Sequence, residues 1–206
     1  MAAPRLVVAT RNEHKLRELR EILPGVELKP LAAEVELPPE TGETFAANAL
    51  IKARAAAAAG VSAIADDSGI EAGALGGRPG VRSARYAGED ASDAENLEKL
   101  IAELDGAVDR SVAYVCVIAH IDEAGDELLF EGRCEGELIA EPRGDGGFGY
   151  DPAFVPRDTV AGDGRTMAEL SPAEKHLISH RGRAGRLLAA HLGLPAAAAP
   201  APRAGP

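Results

Sequence analysis

Two adjacent carboxylates, Asp66 and Asp67, follow a short apolar run at residues 62–65 and precede Ser68-Gly69. Neighbouring aspartates repel each other, so a fold that keeps both usually supplies a cation. A hard divalent ion such as Mg²⁺ prefers oxygen ligands of this kind. The structural alternative is a strand end closed by an Asx-turn. A second group, Thr10-Arg11-Asn12-Glu13-His14-Lys15, leaves one strand and opens a helix. Free backbone N–H groups at a helix N-terminus suit a phosphate, and Lys15, one turn in, adds positive charge. The stretch lacks the flanking glycines of a Walker A loop and also reads as an ordinary capped helix with a solvated lysine.

Three further constellations carry chemistry. Glu40-Thr41-Gly42 lies ahead of a helix that presents Asn48 and Lys52 on one face at i,i+4 spacing. Thr41 or Gly42 is the expected cap, and Glu40 is within plausible reach of a metal held by Asp67; otherwise it is an acidic residue favoured by the helix dipole. Gly146-Gly147-Phe148-Gly149-Tyr150-Asp151-Pro152 combines glycines that let a ligand approach the backbone with an aromatic that can stack on a base. Asp151 is a candidate acceptor for base or ribose hydrogen bonds; the alternative is a hairpin-like loop with a core Phe148. Lys175 and Ser179-His180-Arg181 sit on a final helix. His176 and His180 form a His-x-x-x-His pair, but Leu177 stands where a metalloprotease has Glu. Donors at 175, 180 and 181 are better read as anion or carbonyl binders, with His120 and His191 incidental.

The elements that must position these residues alternate. Residues 6–9 read as a buried strand, and residues 12–23 as a helix with Leu16, Leu19, Ile22 and Leu23 on one face. A strand at 26–31, a helix at 44–59 and a strand at 62–65 follow. Residues 73–88 read as a loop and 93–104 as a helix capped by Asp93. Strands at 111–121 and 127–137 form a hairpin, with a short strand at 153–155 and a helix over 172–192. This pattern predicts an α/β fold with a mixed sheet. Residues 195–206 are an Ala/Pro-rich segment expected to be disordered.

Composition narrows the class. The chain has 206 residues, 46 % of them hydrophobic, which suits one globular domain with a sizeable core. A net charge of −11 makes it a poor general binder of nucleic acid or anionic membrane. No apolar run approaches the roughly 20 residues of a membrane span. Residues 1–5 enter a strand-like run at once, which predicts no signal peptide and a cytoplasmic protein with Cys116 and Cys134 reduced. The two cysteines, equally distant from Gly125, are either neighbours across the hairpin or two small core residues.

Taken in order, these motifs resemble one family: the house-cleaning nucleoside triphosphate pyrophosphatases that act on inosine and xanthosine triphosphates and their deoxy forms. The landmarks are Thr10-x-Asn12-x-x-Lys15, Glu40-Thr41-Gly42-x-Thr44-Phe45-x-x-Asn48-Ala49-x-x-Lys52-Ala53 and Ala65-Asp66-Asp67-Ser68-Gly69. Gly76-Gly77-x-Pro79-Gly80-x-x-Ser83-Ala84-Arg85-Tyr86, Gly146 through Pro152, and Glu174-Lys175 through Ser179-His180-Arg181-Gly182 complete the set. The resemblance runs from Leu6 to about Leu192. It implies an elongated α/β fold, a mixed sheet with flanking helices in two lobes around a cleft, with residues 1–194 as a single catalytic domain. It also implies a homodimer and Mg²⁺-dependent hydrolysis of a purine nucleoside triphosphate to the monophosphate and pyrophosphate.

Carried over position by position, Asp67 would be the catalytic carboxylate, and Glu40 with Asp67 would hold the metal. Thr10, Asn12, Lys15 and Lys52 would meet the triphosphate, with Ser68 nearby. Phe148, Gly149, Tyr150, Asp151, Lys175, His180 and Arg181 would surround base and sugar. Arg181 and a protonated His180 donate only, which would favour a 6-oxo purine over adenine. Arg11 departs from the small residue common at its place, and would either crowd the phosphates or assist them. A non-catalytic nucleotide sensor would lack Asp67 and Glu40, and a septum-type pyrimidine pyrophosphatase would lack Ser179-His180-Arg181.

Overall fold

The computed structural model describes residues 3–58, 60–158 and 164–194; the segment 195–206 lies outside the described residues. Strand β1 (Arg5–Val8) buries Leu6 and Val8 and runs parallel to β2 (Glu27–Pro30), which follows helix α1 (Glu13–Ile22). Asn12 caps α1 through its side chain, which accepts from the His14 and Lys15 amides. Helix α2 (Phe45–Ala57) leads into β3 (Ala63–Ala72), also parallel to β1. Helix α3 (Asp93–Glu103) precedes the antiparallel hairpin of β4 (Ser111–Ile121) and β5 (Glu127–Leu138), and β6 (Phe154–Pro156) adds to β5. Helices α4 (Pro172–Ile178) and α5 (His180–His191) follow. The result is a six-stranded mixed sheet, β2-β1-β3-β4-β5-β6, with flanking helices, as the alternation of elements predicts. No helix among the described residues is long and apolar enough to cross a membrane.

The site is made possible by a mismatch of strand lengths. β1 pairs with β3 only at Val7–Ala63 and Val8–Ile64, whereas β4 pairs with β3 along its whole length, from Ala63–Ile121 to Ala72–Val112. Beyond Ile64 the β1-side edge of β3 is therefore open until Ile70, whose amide donates to Ser83 Oγ, and Ala72, whose amide donates to the Arg78 carbonyl. Asp66, Asp67, Ser68 and Gly69 lie along that opening. The apolar core divides at the same place. Ile64 packs with Leu19, Ile118 and Leu188 on one face, Ala65 with Ala49, Ala53 and Ala119 on the other. Ile70 and Ala72 belong to a separate cluster with Leu100, Leu138 and Phe154.

Several local expectations are corrected. The strand before the aspartates does not end at Ala65, because β4 supplies ladder partners through Ala72. Thr44, not Thr41 or Gly42, caps α2, its hydroxyl accepting from the Ala47 amide. Gly42 instead donates its amide to Asn48 Oδ1, in a space where a Cβ would sit 2.7 Å from that oxygen. Ser92 caps α3 in a reciprocal capping box with Glu95, which leaves the Asp93 carboxylate free to accept from the Gly149 amide. The final helix is broken at Ser179, whose extended backbone (φ −65°, ψ 153°) ends α4 and starts α5. The hairpin register sets Cys116 opposite Gly132 and Cys134 opposite Tyr114, so the cysteines are not cross-strand partners. Both are buried and free, and burial pushes each thiol up to about 12.

Helix α5 reaches the sheet through Gly132, where a Cβ would fall 2.1 Å from the His180 carbonyl oxygen and 2.5 Å from the Ala184 amide nitrogen. Both are backbone atoms, so the helix itself must move to admit a methyl group. Gly132→Ala is expected to lower stability by about 1–3 kcal/mol, measured as a lower urea midpoint. A midpoint equal to wild type would show that α5 does not bear on this contact.

Candidate active site

The open edge of β3 forms the floor of a cavity of about 390 Å³, a size that suits a small-molecule ligand. Every residue singled out for the site lines it: Thr10, Asn12 and Lys15 from the start of α1; Glu40 and Lys52 from α2 and its approach; Asp67 and Ser68 from β3; Phe148, Gly149, Tyr150 and Asp151 from the glycine-rich loop; and Lys175, His180 and Arg181 from α4 and α5. These residues come from five separate stretches of chain, and the break at Ser179 is what turns His180 and Arg181 toward the cavity. His14, Leu37, Ser83, Asp93 and Tyr114 also line it and were not anticipated.

The adjacent aspartates point to opposite faces of the sheet, as alternation along a strand requires. Asp67 faces α2, where Asn48 Nδ2 donates to it at 3.2 Å and Lys52 Nζ lies at 3.4 Å. Burial pushes its carboxyl up, and Glu40 adds to this; Lys52 and Lys15 oppose it without reversing the direction. Glu40 shares the same lysine, Lys52 Nζ donating to Glu40 Oε1 at 2.5 Å. Two carboxylates on one wall thus compete for a single ammonium.

Asp66 faces α1 and α5 and is 1 % exposed. Burial would raise its carboxyl, but Lys15, Arg181 and Lys52 hold it well below the usual carboxylate range. Lys15 Nζ lies 3.1 Å and Arg181 Nη2 2.9 Å from the same oxygen, Oδ2, while Oδ1 is buried without a hydrogen-bond partner.

A residue absent from the sequence-based expectations organises the other wall. Glu18, on the buried side of α1, accepts from Lys175 Nζ at 2.8 Å and from Arg181 Nη1. Burial opposes ionisation, yet Arg181 and Lys175 hold its carboxyl at about 2. The signal was an acidic residue among Leu16, Leu19 and Ile22 in an amphipathic helix, one turn beyond Lys15. Lys175 also donates to Asp151 Oδ2 at 2.8 Å. The Phe148 amide donates to that same oxygen, and Tyr114 Oη donates to Oδ1 at 3.1 Å. Asp151 is therefore buried and fully engaged in shaping the loop.

Arg181 differs from its sequence-based expectation in the same way. Four of its five N–H groups are taken: Nε and Nη2 by Asp66, Nη2 also by Ser68 Oγ, and Nη1 by Glu18. His180 stacks on Tyr114 with centroids 4.6 Å apart. Burial, aided by Arg181, drives its imidazole well below the ordinary histidine value. A neutral ring donates from one nitrogen only, so the pocket is less uniformly donor-lined than the sequence suggests. Phe148 presents a ring with Lys175 Nζ 5.0 Å from its centroid and the His14 ring tilted against it at 5.3 Å. His176 bonds Glu21 outside this network, and Arg11 turns to backbone carbonyls.

No group of three or more His, Cys, Asp or Glu side chains suited to a metal occurs among the described residues. Mg²⁺ rarely needs one: it commonly takes one or two carboxylates, substrate phosphates and water. Glu40 and Asp67 are oxygen donors on one wall, sharing one lysine between them, and so fit that pattern.

Comparison with known proteins agrees with this geometry. The family model described as the Ham1 family matches residues 6–191. The chain belongs to the Ham1 family. It is 49 % identical over 193 residues to a dITP/XTP pyrophosphatase of Mycolicibacterium paratuberculosis, covering 89 % of this chain and 93 % of that protein. Among solved structures, a HAM1 protein from Coxiella burnetii superposes with a TM-score of 0.81 at 45 % identity, covering 92 % of this chain and 98 % of the other. The Staphylococcus aureus Ham1 protein superposes equally well (TM-score 0.81) at 40 % identity, with 92 % and 98 % covered.

The ion pairs of Glu18 set a pH dependence. Its folded value of about 2 lies below the ordinary 4.5, so the charge stabilises fully above the unfolded value and is lost as pH falls through the folded one. The contribution at neutral pH is about 3 kcal/mol. The stability gap between wild type and Glu18→Gln is expected to be flat above about pH 5 and roughly halved by pH 3. Urea titrations across that range measure it. A gap independent of pH would show that the carboxylate charge is not what Lys175 and Arg181 require.

Proposed function

We propose that this chain hydrolyses the non-standard purine triphosphates ITP, dITP and XTP to the nucleoside monophosphate and pyrophosphate, with Mg²⁺ as cofactor. The observation that carries the reading is one cavity lined by a helix-N-terminal polar loop, three lysines, the Asp67 carboxylate and an aromatic loop. The dITP/XTP pyrophosphatase names of relatives near 49 % identity over most of the chain support the substrate class. In this reading residues 1–194 are one catalytic domain of two lobes that works as a cytoplasmic homodimer.

In the reaction a water oxygen attacks the α-phosphorus, the bond from that phosphorus to the oxygen bridging to the β-phosphorus breaks, and pyrophosphate leaves. Asp67 orients the water and takes its proton, a task that suits a carboxyl pushed upward by burial. Glu40 and Asp67 would hold Mg²⁺, which when bound offsets the charge of the phosphates and leaving group. Lys15 and Lys52 exchange their carboxylate partners for phosphate oxygens, and the Thr10 hydroxyl and the Asn12 side-chain amide add neutral donors, the His14 and Lys15 amides being taken by Asn12 Oδ1. Ser68 lies beside them. The base stacks on Phe148, flanked by Gly149 and Tyr150 in the loop that Asp151 shapes, with Lys175 below. A 6-oxo group meets the ring N–H of His180 and the remaining Nη1 hydrogen of Arg181, where adenine's amino group would face donors.

Asp67→Asn is expected to keep the fold and lower kcat by more than tenfold, a barrier increase above about 1.4 kcal/mol; Glu40→Gln is expected chiefly to raise the Mg²⁺ requirement. Retention of a tenth or more of wild-type kcat by Asp67→Asn would refute its role. Hydrolysis in ¹⁸O-water is expected to label the monophosphate. Label in pyrophosphate instead would exclude attack at the α-phosphorus, and a panel of ITP, dITP, XTP, GTP and ATP measures the base preference.

A further inference from the structure

Arg11 lies between Thr10 and Asn12, yet its guanidinium is spent on the backbone of another segment. Nη1 donates to the Leu31 carbonyl at 3.1 Å. Nη2 donates to the carbonyls of Ala32 at 2.9 Å and Val35 at 2.7 Å, with that of Ala33 at 3.4 Å. These acceptors belong to the connection from β2 to α2, where residues 31–44 contain neither helix nor strand. A connection that long without regular structure is uncommon in a compact domain and tends to carry function. It carries Leu37 and Glu40 into the cavity wall. Its backbone holds itself by one turn, the Val35 amide donating to the Ala32 carbonyl, and is anchored at its far end by Gly42 on Asn48.

Between these two anchors stands Glu40, with Lys52 on one side and Arg85 Nη1 3.8 Å away on the other. Charge-assisted hydrogen bonds are the stronger kind, and a planar guanidinium can reach carbonyls on successive residues from two nitrogens at once. A lysine at position 11 would offer a single nitrogen. The open choice between crowding and assisting the phosphates thus has a third answer.

We propose that Arg11 is a positioning residue: it ties residues 31–35 to the start of α1 and so holds Glu40 beside Lys52 and Asp67. The clamp couples the phosphate-side loop to the metal-side carboxylate, so the two walls of the cavity keep their spacing. The part concerning Mg²⁺ rests on the function proposed above; the clamp itself does not.

Hydrogen exchange of the free full-length protein tests the clamp without any ligand. In Arg11→Met, which keeps side-chain length and removes the donors, the Val35 and Gly42 amides, the hydrogen-bonded ones of this connection, are expected to exchange about tenfold faster or more, the loss of at least one charge-assisted hydrogen bond. Amides of β4 are expected to be unchanged, and Arg11→Lys to lie between the two. Unaltered exchange at Val35 and Gly42 would overturn the proposal. In the kinetic arm Arg11→Met is expected to raise the half-saturating Mg²⁺ concentration severalfold, with a smaller change in kcat at saturation. In a Glu40→Gln background it is expected to add no further rise. An equal rise in both backgrounds would overturn action through Glu40. A wild-type protein that hydrolyses no nucleotide would refute the proposed function and leave the exchange measurement to decide the clamp.

Discussion

A single buried chain of ion pairs holds one wall of the cavity to its floor on β3. It runs from Lys15 on α1 to Asp66 on β3, through Arg181 on α5 to Glu18 back on α1, and on through Lys175 to Asp151 in the glycine-rich loop. Charges taken out of water in this way add little stability over a well-packed apolar replacement, because desolvation offsets most of the Coulomb gain. Their effect is geometric: breaking one link leaves an uncompensated buried charge, so the arrangement is enforced by the cost of its alternatives. The network therefore fixes where α1, α5 and the 146–151 loop stand relative to β3, and the cavity follows from those positions.

The opening in which this network sits is a consequence of topology. β1 is four residues long and β3 is ten. Where β1 stops, the sheet has no strand to occupy the edge, and the chain turns instead into the Thr10–Lys15 loop and α1. A polar loop and a helix N-terminus thus arrive beside an unpaired strand edge that carries two aspartates. This is an α/β device in which binding groups gather where the strand order leaves a gap.

The two aspartates show how one strand serves two tasks. Alternation sends Asp66 among Lys15 and Arg181, where the cations outweigh burial and keep it ionised. Asp67, one residue on, faces α2, where burial and Glu40 outweigh Lys52 and push it toward protonation. Adjacent groups of the same chemistry are separated by their environments, one held ionised and the other with its carboxyl pushed upward. Arg11 extends the same logic outward, since a cation in the Thr10–Lys15 loop holds backbone carbonyls.

The element order apart from the break at Ser179, the mixed sheet and many of the cavity-lining residues were legible in the sequence, because periodicity, glycine turns and ordered motifs are local properties of the chain. The sequence was also sufficient to place the glycine-rich loop beside Lys175, His180 and Arg181 by resemblance. Tertiary structure alone decided what those side chains are bonded to. The signal at Glu18 is weak because an acidic residue on a helix is ordinarily solvated, and only the packing of α1 against α5 brings Lys175 and Arg181 onto it. The neutral state of His180, the commitment of Arg181 to Asp66, and the engagement of Asp151 by Tyr114 depend on burial and on partners 24 to 163 residues distant in sequence. The break at Ser179 lies between these two kinds of information. Serine permits a cap anywhere in a helix, and it becomes one here because Gly182 lets α5 approach within contact of the His176 carbonyl, where a Cβ would fall 1.9 Å away.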